Sequence, residues 1–396
     1  MAVEIDARFL VTTPLFGRGA DDYRPELRLP SFKGVLRFWW RALAWSRLQG
    51  DLAAIRQEED ALFGSAGGGQ SRLSMRLTLP DDRNWVALGD VLRVPGQRGA
   101  VGEGARYLGY GVMEAFASRA RGTQAGQLIR ACLAAPFEFT VRMRARALSD
   151  EEIKSVRDAL VALGTLGSMG SRSRKGYGSL SLASLLIDGE ETWRAPTTIS
   201  DLNTAIGDLP RGAGPSGIPE YTALTPESRH ILASSAARQP LELLDLVGRE
   251  LVRYRSWGRD GKILGNQIDS ERRFRDDHDL MKGSSQDRKA HPRRVAFGLP
   301  HNYGPGAGNQ VGPAGSGLDR RASPLFIHIH QCEDTPVAVI SFLPSRFLPS
   351  GTQINVGGQT VPQAPEPDLY QPIHDFLNRL LDPAQRREPF IEAVEV

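Results

Sequence analysis

Cysteine is almost absent from this chain: Cys132 and Cys332 are the only two among 396 residues. Two thiols so far apart exclude a disulfide scaffold and a cysteine-built zinc site. They fit a reducing, cytoplasmic setting. Long apolar runs are missing too. No stretch approaches the roughly 18 apolar residues of a membrane span. The start, Met-Ala-Val-Glu-Ile-Asp-Ala-Arg, has neither the basic end nor the apolar run of a secretory signal. We expect no membrane partner. Nor is there a large charge imbalance. Lys plus Arg total 49 against 46 acids, a net charge of +3, so a nucleic-acid partner must be argued from where the charge sits. Catalytic signatures are also lacking: no G-x-S-x-G, H-E-x-x-H or Cys–His nucleophile pattern occurs.

What is present is globular. Hydrophobic residues make up 40% and charged residues 24%, proportions that argue against wholesale disorder. The length suggests two or three domains, and 42 glycines with 26 prolines imply many loops. Alternation of Val3, Ile5, Ala7 and Phe9 with charged residues predicts a strand over 3–11. Pro30-Ser31 opens a predicted helix to about Leu48. Phe32, Leu36, Trp39 and Leu43 lie on one face, and Lys33, Arg37 and Arg41 on another. Strands are predicted over 72–79 and 136–147. Ser149 to Glu152 is a capping box opening a helix that Gly164 and Gly167 end. A strand follows from Gly178. The order over residues 1–190 is therefore β-α-β-β-α-β with an insertion near 85–135, the ferredoxin-like order that RNA-recognition domains also use. Residues 191–220 read as a linker.

The remainder, 221–396, reads as a second α+β domain. A helix is expected over 241–254, strands over 325–330 and 337–342, and a helix over 373–381. Residues 256–292 are polar, and 304–317 form a Gly/Pro loop. No internal sequence repeat is evident.

One constellation stands out. Residues 164–178 carry five glycines together with Arg172, Arg174 and Lys175 between a helix and a strand. Glycines let a backbone approach a phosphate and expose its N–H groups; Tyr177 could stack on a base. The loop is not a Walker A loop, because it follows a helix and lacks the Gly-Lys-Ser/Thr order. The basic stripe Lys33, Arg37, Arg41 could follow a sugar–phosphate backbone or be snorkelling cations of an ordinary amphipathic helix. The window 93–146 holds nine arginines and three acids. The run 288–294 with Arg320 and Arg321 adds charge to the second half. His328 and His330 share a strand face, but without a third ligand they read as a structural pair. Arg275-Asp-Asp-His-Asp279 reads as a solvated charge run.

These motifs carry a resemblance. Thr13-Pro-Leu-Phe-Gly-Arg-Gly-Ala20, Leu36-Arg-Phe-Trp-Trp-Arg41 with Leu62-Phe-Gly-Ser65, the glycine-rich loop, and Arg294-Val-Ala-Phe-Gly-Leu-Pro300 with Arg320-Arg-Ala-Ser-Pro-Leu325 resemble the first-subunit family of the type III-B (Cmr) CRISPR effector, within the RAMP superfamily. The resemblance implies an α+β fold: two ferredoxin-like (RRM-like) RAMP domains in tandem with insertions. It implies a non-catalytic subunit that binds the 3′ part of a guide RNA, complementary target RNA, and neighbouring RAMP subunits, with no cofactor and no metal. The RNA-contact residues expected are Arg18, Lys33, Arg37, Arg41, Ser168, Gly170, Arg172, Arg174, Lys175 and Tyr177. Two rival readings are a RAMP-type endoribonuclease that trims precursor guide RNA, with His301, His328 or His278 as its acid or base, and a pure assembly protein.

Overall fold

The computed structural model describes residues 2–396 except 22, 68, 82–83, 213–214, 216, 258–261, 264–267, 284–287, 305 and 316. The expected polar stretch 256–292 and the Gly/Pro loop 304–317 therefore lie partly outside the described residues.

The first half begins with β1 (Ala2–Val11), α1 (Leu29–Arg47), α2 (Leu52–Phe63) and β2 (Leu73–Thr78). An insertion with β3 (Trp85–Val86), α3 (Glu103–Leu108) and β4 (Cys132–Leu133) follows. Then come β5 (Phe137–Arg146), α4 (Asp150–Leu166), β6 (Leu180–Ile187), β7 (Glu190–Arg194) and α5 (Ile199–Gly207). The sheet order is β2-β5-β1-β6-β7, with all neighbours antiparallel. Without the edge strand β7, this is the order of a β-α-β-β-α-β unit whose two central strands are its first and third.

Alternation builds it. Ile5, Ala7, Phe9 and Val11 are buried, and in β5 so are Phe139, Val141, Met143 and Ala145. Ile5 pairs with Met143 and Met143 with Met75, so one register stacks the apolar set of three strands on one face. The other face of β5 exposes Arg142, Arg144 and Arg146. α1 buries Phe32, Leu36, Trp39 and Leu43 as its spacing predicts. Trp40, placed between the two stripes, is also buried, and its indole N–H donates to Ser155 Oγ at 3.0 Å. Ser149 and Glu152 make both bonds of the capping box. The helix runs through Gly164 to Leu166. A Cβ on Gly164 would lie 2.2 Å from Leu182 Cβ, so this glycine permits close helix–sheet packing instead of ending the helix.

The second half contains β8 (Arg229–Ser235), α6 (Pro240–Arg255), β9 (Lys262–Ile263), β10 (Ile268–Asp269), α7 (Arg275–Lys282), β11 (His301–Asn302) and β12 (Gln310–Ala314). It continues with β13 (Leu325–Cys332), β14 (Thr335–Phe342), β15 (Gln353–Val356), β16 (Gln359–Val361), α8 (Glu366–Leu381) and β17 (Phe390–Glu395). Its main sheet has the order β13-β14-β8-β17. Taking β8, α6, β13, β14, α8 and β17 in turn gives β-α-β-β-α-β again, with the same strand order as β1, β2, β5 and β6. A smaller sheet runs β11-β12-β15-β16. The stretch 191–220 carries a strand and the capped helix α5, whose Thr198 and Asp201 form a reciprocal box.

The halves meet along β13, the end strand of its sheet. Its outer edge is met by hydroxyls of the first half. Ile329 N–H donates to Ser179 Oγ and Gln331 N–H to Ser181 Oγ, both at 3.0 Å, and Thr12 Oγ1 donates to Ile329 O at 2.6 Å. Side chains thus satisfy a buried strand edge without extending the ladder. The two large hydrophobic clusters draw on both halves: Phe326 and Val339 pack with the first, Phe16 and Tyr177 with the second.

Candidate nucleic-acid interface

The glycine-rich loop leaves α4 at Gly167 and closes into a short 3-10 turn, Ser173–Lys175. Two of its glycines have a physical reason. A Cβ on Gly178 would sit 2.0 Å from Met169 O, and Gly176 adopts a φ of +81° against Leu244 of α6. The segment 12–18 after β1 runs along the loop and fastens it. Ser171 N–H donates to Phe16 O at 2.9 Å, Gly178 N–H to Pro14 O at 3.0 Å, and Thr13 Oγ1 to Gly176 O at 2.7 Å. Arg18 is exposed two residues beyond Phe16, so this loop pair brings Arg18 to the same region.

The expected contact residues divide here. Tyr177 is fully buried, and its hydroxyl donates to Ala105 O at 2.8 Å. It cannot stack on a base; it pins the loop to α3. Ser168 is buried against Ser179 Oγ at 3.3 Å. Gly170 is exposed, but its φ of +89° and a would-be Cβ only 2.8 Å from Phe16 O explain the glycine by loop packing. Arg174 reaches across the halves. Its guanidinium donates to Ser323 O at 2.6 Å and lies 4.5 Å from the Phe326 ring and 5.7 Å from Phe38. Burial, with Arg321 nearby, pulls it down to about 10.

The α1 stripe is partly spoken for. Glu59 of α2, itself buried, lies 2.7 Å from Arg37 Nε and 3.7 Å from Arg41 Nε. One carboxylate thus serves both arginines. Lys33 is held below its ordinary range by burial and by Arg37. The stripe and the loop are separate features: the loop's own charged neighbours come from elsewhere.

Those neighbours are Arg130 from the insertion and Arg255 from the end of α6. Arg130 Nη1 donates to Ser171 Oγ at 3.3 Å. Arg255 Nη1 donates to Tyr107 Oη at 2.6 Å, and its Nη2 lies 3.2 Å from His301 Nε2. Lys175 is half-buried, and burial together with Arg255, Arg172 and Arg174 pushes its amine down to about 7. Arg172 is lowered by burial and by Arg130. Burial, then Arg255 and Arg294, drives His301 well below its usual value. Among the described residues, Arg130, Arg172, Arg174, Lys175 and Arg255 form no ion pair with any carboxylate, whereas Arg121, Arg157, Arg249 and Arg253, near them in sequence, do. Five cations from three parts of the chain therefore converge without an acid among them. Such a cluster repels itself and is stabilised by a polyanion.

Sequence reasoning found the loop and missed what faces it. Arg130 lay in the acid-poor window and His301 was named only as a rival catalytic histidine, but Arg255 and Tyr110 carried no local signal. Tyr110 follows α3 between two glycines, is 69% exposed, and has the Arg172 guanidinium 5.9 Å from its ring.

Other expectations resolve as follows. His328 and His330 are fully buried. His328 Nδ1 is 2.7 Å from Gly167 O, and no group of three or more metal-ligating side chains occurs among the described residues. In the 275–279 run Asp277 is buried, contrary to a solvated reading. It accepts the N–H groups of Arg293 at 2.8 Å and Arg294 at 2.9 Å. No described helix is long and apolar enough to cross a membrane.

Residues 8–181 match the family model of the RAMP superfamily. The chain is similar to two proteins of Pyrococcus furiosus. CRISPR system Cmr subunit Cmr1-2 is 42% identical over 69 residues, covering 17% of this chain and 36% of that protein. CRISPR system Cmr subunit Cmr1-1 is 30% identical over 169 residues, covering 40% of this chain and 41% of that protein. The matched segments thus span well under half of these relatives' own lengths. Among solved structures, apo Cmr1 from Pyrococcus furiosus superposes with a TM-score of 0.54 at 18% identity, covering 90% of this chain and 93% of that one. A chain of the type III-B Cmr-β complex bound to cognate target RNA gives 0.50 at 11% identity, covering 95% and 100%. At these identities the structures speak to fold alone.

Proposed function

We propose that this chain is a non-catalytic RNA-binding subunit of a Cmr-type CRISPR effector, built from two ferredoxin-like RAMP domains, 1–190 and 221–396. It works in the cytoplasm beside other RAMP subunits and holds guide RNA, target RNA or both. The observation that carries this reading is the convergence of Arg130, Arg172, Arg174, Lys175 and Arg255 without a carboxylate partner. Arg172 and Lys175 are only half-buried, so phosphate oxygens can reach them. Guanidinium and ammonium groups bind phosphates without reading bases; sequence choice is left to pairing between guide and target. Arg18 extends the same surface, and Lys33, Arg37 and Arg41 would add a second, weaker track that is partly neutralised by Glu59. Arg174, Tyr177, Ser168 and Gly170 hold the loop in shape.

The test is RNA binding by the full chain across a salt series. We expect Arg172→Ala with Lys175→Ala to weaken binding of unrelated RNA sequences alike, and to reduce the log–log salt slope by about 1 to 2, near 0.7 per phosphate contact on a single strand. Equal affinity and slope in the folded double variant would remove the cluster from the RNA path. The same samples, run on a denaturing gel, should show intact RNA. Cleavage that disappears in His301→Ala would instead favour the endoribonuclease reading, since His301 lies against Arg255.

A further inference from the structure

Tyr110 is held out of the core by a well-anchored frame. α3 crosses α6 at a glycine pair: a Cβ on Gly248 would lie 2.2 Å from Gly104 O. Ala105 N–H donates to Asp245 Oδ1 at 3.0 Å, Ala105 O accepts from Tyr177, and Tyr107 Oη accepts from Arg255. The chain then turns through Gly109, Tyr110 and Gly111, with Gly111 at φ +85°. A Cβ on Gly111 would lie 2.9 Å from Arg172 Nη2, so the glycine lets that guanidinium reach the turn. Of the exposed aromatic side chains among the described residues, Tyr110 is the one with a cation of the glycine-rich loop over its ring. The other aromatics near the cluster are committed: Tyr177 is buried, Tyr303 lies under Arg294, and Trp257 has His278 stacked on it and Lys282 over it.

From this frame we propose that Tyr110 is a stacking platform for the base of an unpaired nucleotide, whose phosphates lie on Arg172, Arg130 and Lys175. The proposal rests on the RNA-binding reading and specifies the form of RNA the cluster takes. A guanidinium covers only part of one ring face, and 69% exposure leaves the rest of the ring open. Stacking on an aromatic side chain tolerates any base, because every base has a π-face. It requires a base whose own face is free, which bases inside a duplex lack. Charge at the loop and an aromatic ring beside it are the two components of single-strand recognition.

The experiment compares a labelled single-stranded RNA with the blunt duplex of the same sequence, on the full chain and on Tyr110→Ala and Tyr110→Phe. We expect Tyr110→Ala to weaken single-strand binding by about 5- to 150-fold, with the salt slope unchanged because no charge is lost. Tyr110→Phe should bind like the parent. A 2-aminopurine base in the single strand should lose its stacking quench in the alanine variant. Unchanged single-strand affinity in Tyr110→Ala overturns the proposal. So does an equal loss on strand and duplex with a reduced slope, which would mean that Tyr110 only positions Arg172. If the parent chain binds neither RNA, the underlying RNA-binding reading fails instead, a distinguishable result.

Discussion

Lys175 shows how a single side chain couples function to stability. Its amine is pushed down to about 7 by burial first and then by Arg255, Arg172 and Arg174, so it changes charge across the physiological range. Phosphate favours the charged form. RNA affinity is therefore expected to fall as pH rises from 6 to 8, by up to about tenfold, one pKa unit being a factor of ten. Lys175→Arg, which stays charged, should flatten that profile in the same binding assay. The folding sign is opposite. The unfolded lysine binds its proton up to about pH 10.4, the folded one only to about 7, so this group adds stability as pH rises through that window. At this scale the sequence was half legible. Adjacent glycines and cations marked the loop, but nothing local distinguished Tyr177, which is fully buried, and Arg174, which is held by Ser323 O and the Phe326 ring, from Arg172, which lies beside the exposed Tyr110. Exposure depends on Ser323, Phe326 and Ala105, which lie on remote segments.

At the scale of elements, long periodic segments were legible, and α1, α4, α6 and the strands β1, β5, β13 and β14 fall where alternation or helical spacing puts them. α3 is six residues long, too short for a period to show, and α5 was hidden by prolines and glycines on either side. Yet α3 carries Tyr110 into place. Its crossing with α6 depends on Gly104 and Gly248. Gly248→Ala drives a methyl group to 2.2 Å from Gly104 O, and neither backbone can yield without moving a helix. We expect a loss of about 1–3 kcal/mol, typical of overpacking, seen as a lower melting temperature. Single-strand affinity should drop as well, because the insertion shifts away from Arg172 and Arg255. A control substitution at the exposed Gly34, whose Cβ would meet nothing within 4 Å, should leave RNA binding as it was. The basic stripe on α1 makes the same point from the other side. Its 4 and 4 spacing was correct, but Glu59, whose single carboxylate is shared by Arg37 and Arg41, sits on the next helix.

Across the whole molecule, the two halves repeat one element order and one strand order without a sequence repeat to announce it, since topology constrains hydrophobic periodicity and not residue identity. Their junction is polar in an unusual way. His328 and His330 are fully buried there, His328 Nε2 is 3.4 Å from His330 Nδ1, and His330 Nδ1 is 3.3 Å from Ser181 Oγ. His230, equally buried on β8, beyond β14 in the same sheet, has Nδ1 2.8 Å from Ser341 Oγ. Among the described residues, the buried Nε2 atom of His230 has no hydrogen-bond partner. Burial holds all three neutral: His328 is lowered to about 4, His230 to about 3 with Arg211 adding to the effect, and His330 well below its ordinary value with His328 adding to it. Between about 6.5 and 4 the unfolded chain takes up protons that the folded chain refuses, so folding stability falls as pH drops through that window. Melting temperature should therefore decline between pH 7 and pH 5, mostly before the carboxylates begin to titrate. His328→Asn keeps an N–H donor for Gly167 O but cannot titrate. Its melting temperature will be lower at pH 7, where a smaller side chain packs less well, but the decline toward pH 5 should be shallower than in the parent. An identical slope in both proteins would place the acid sensitivity outside this junction.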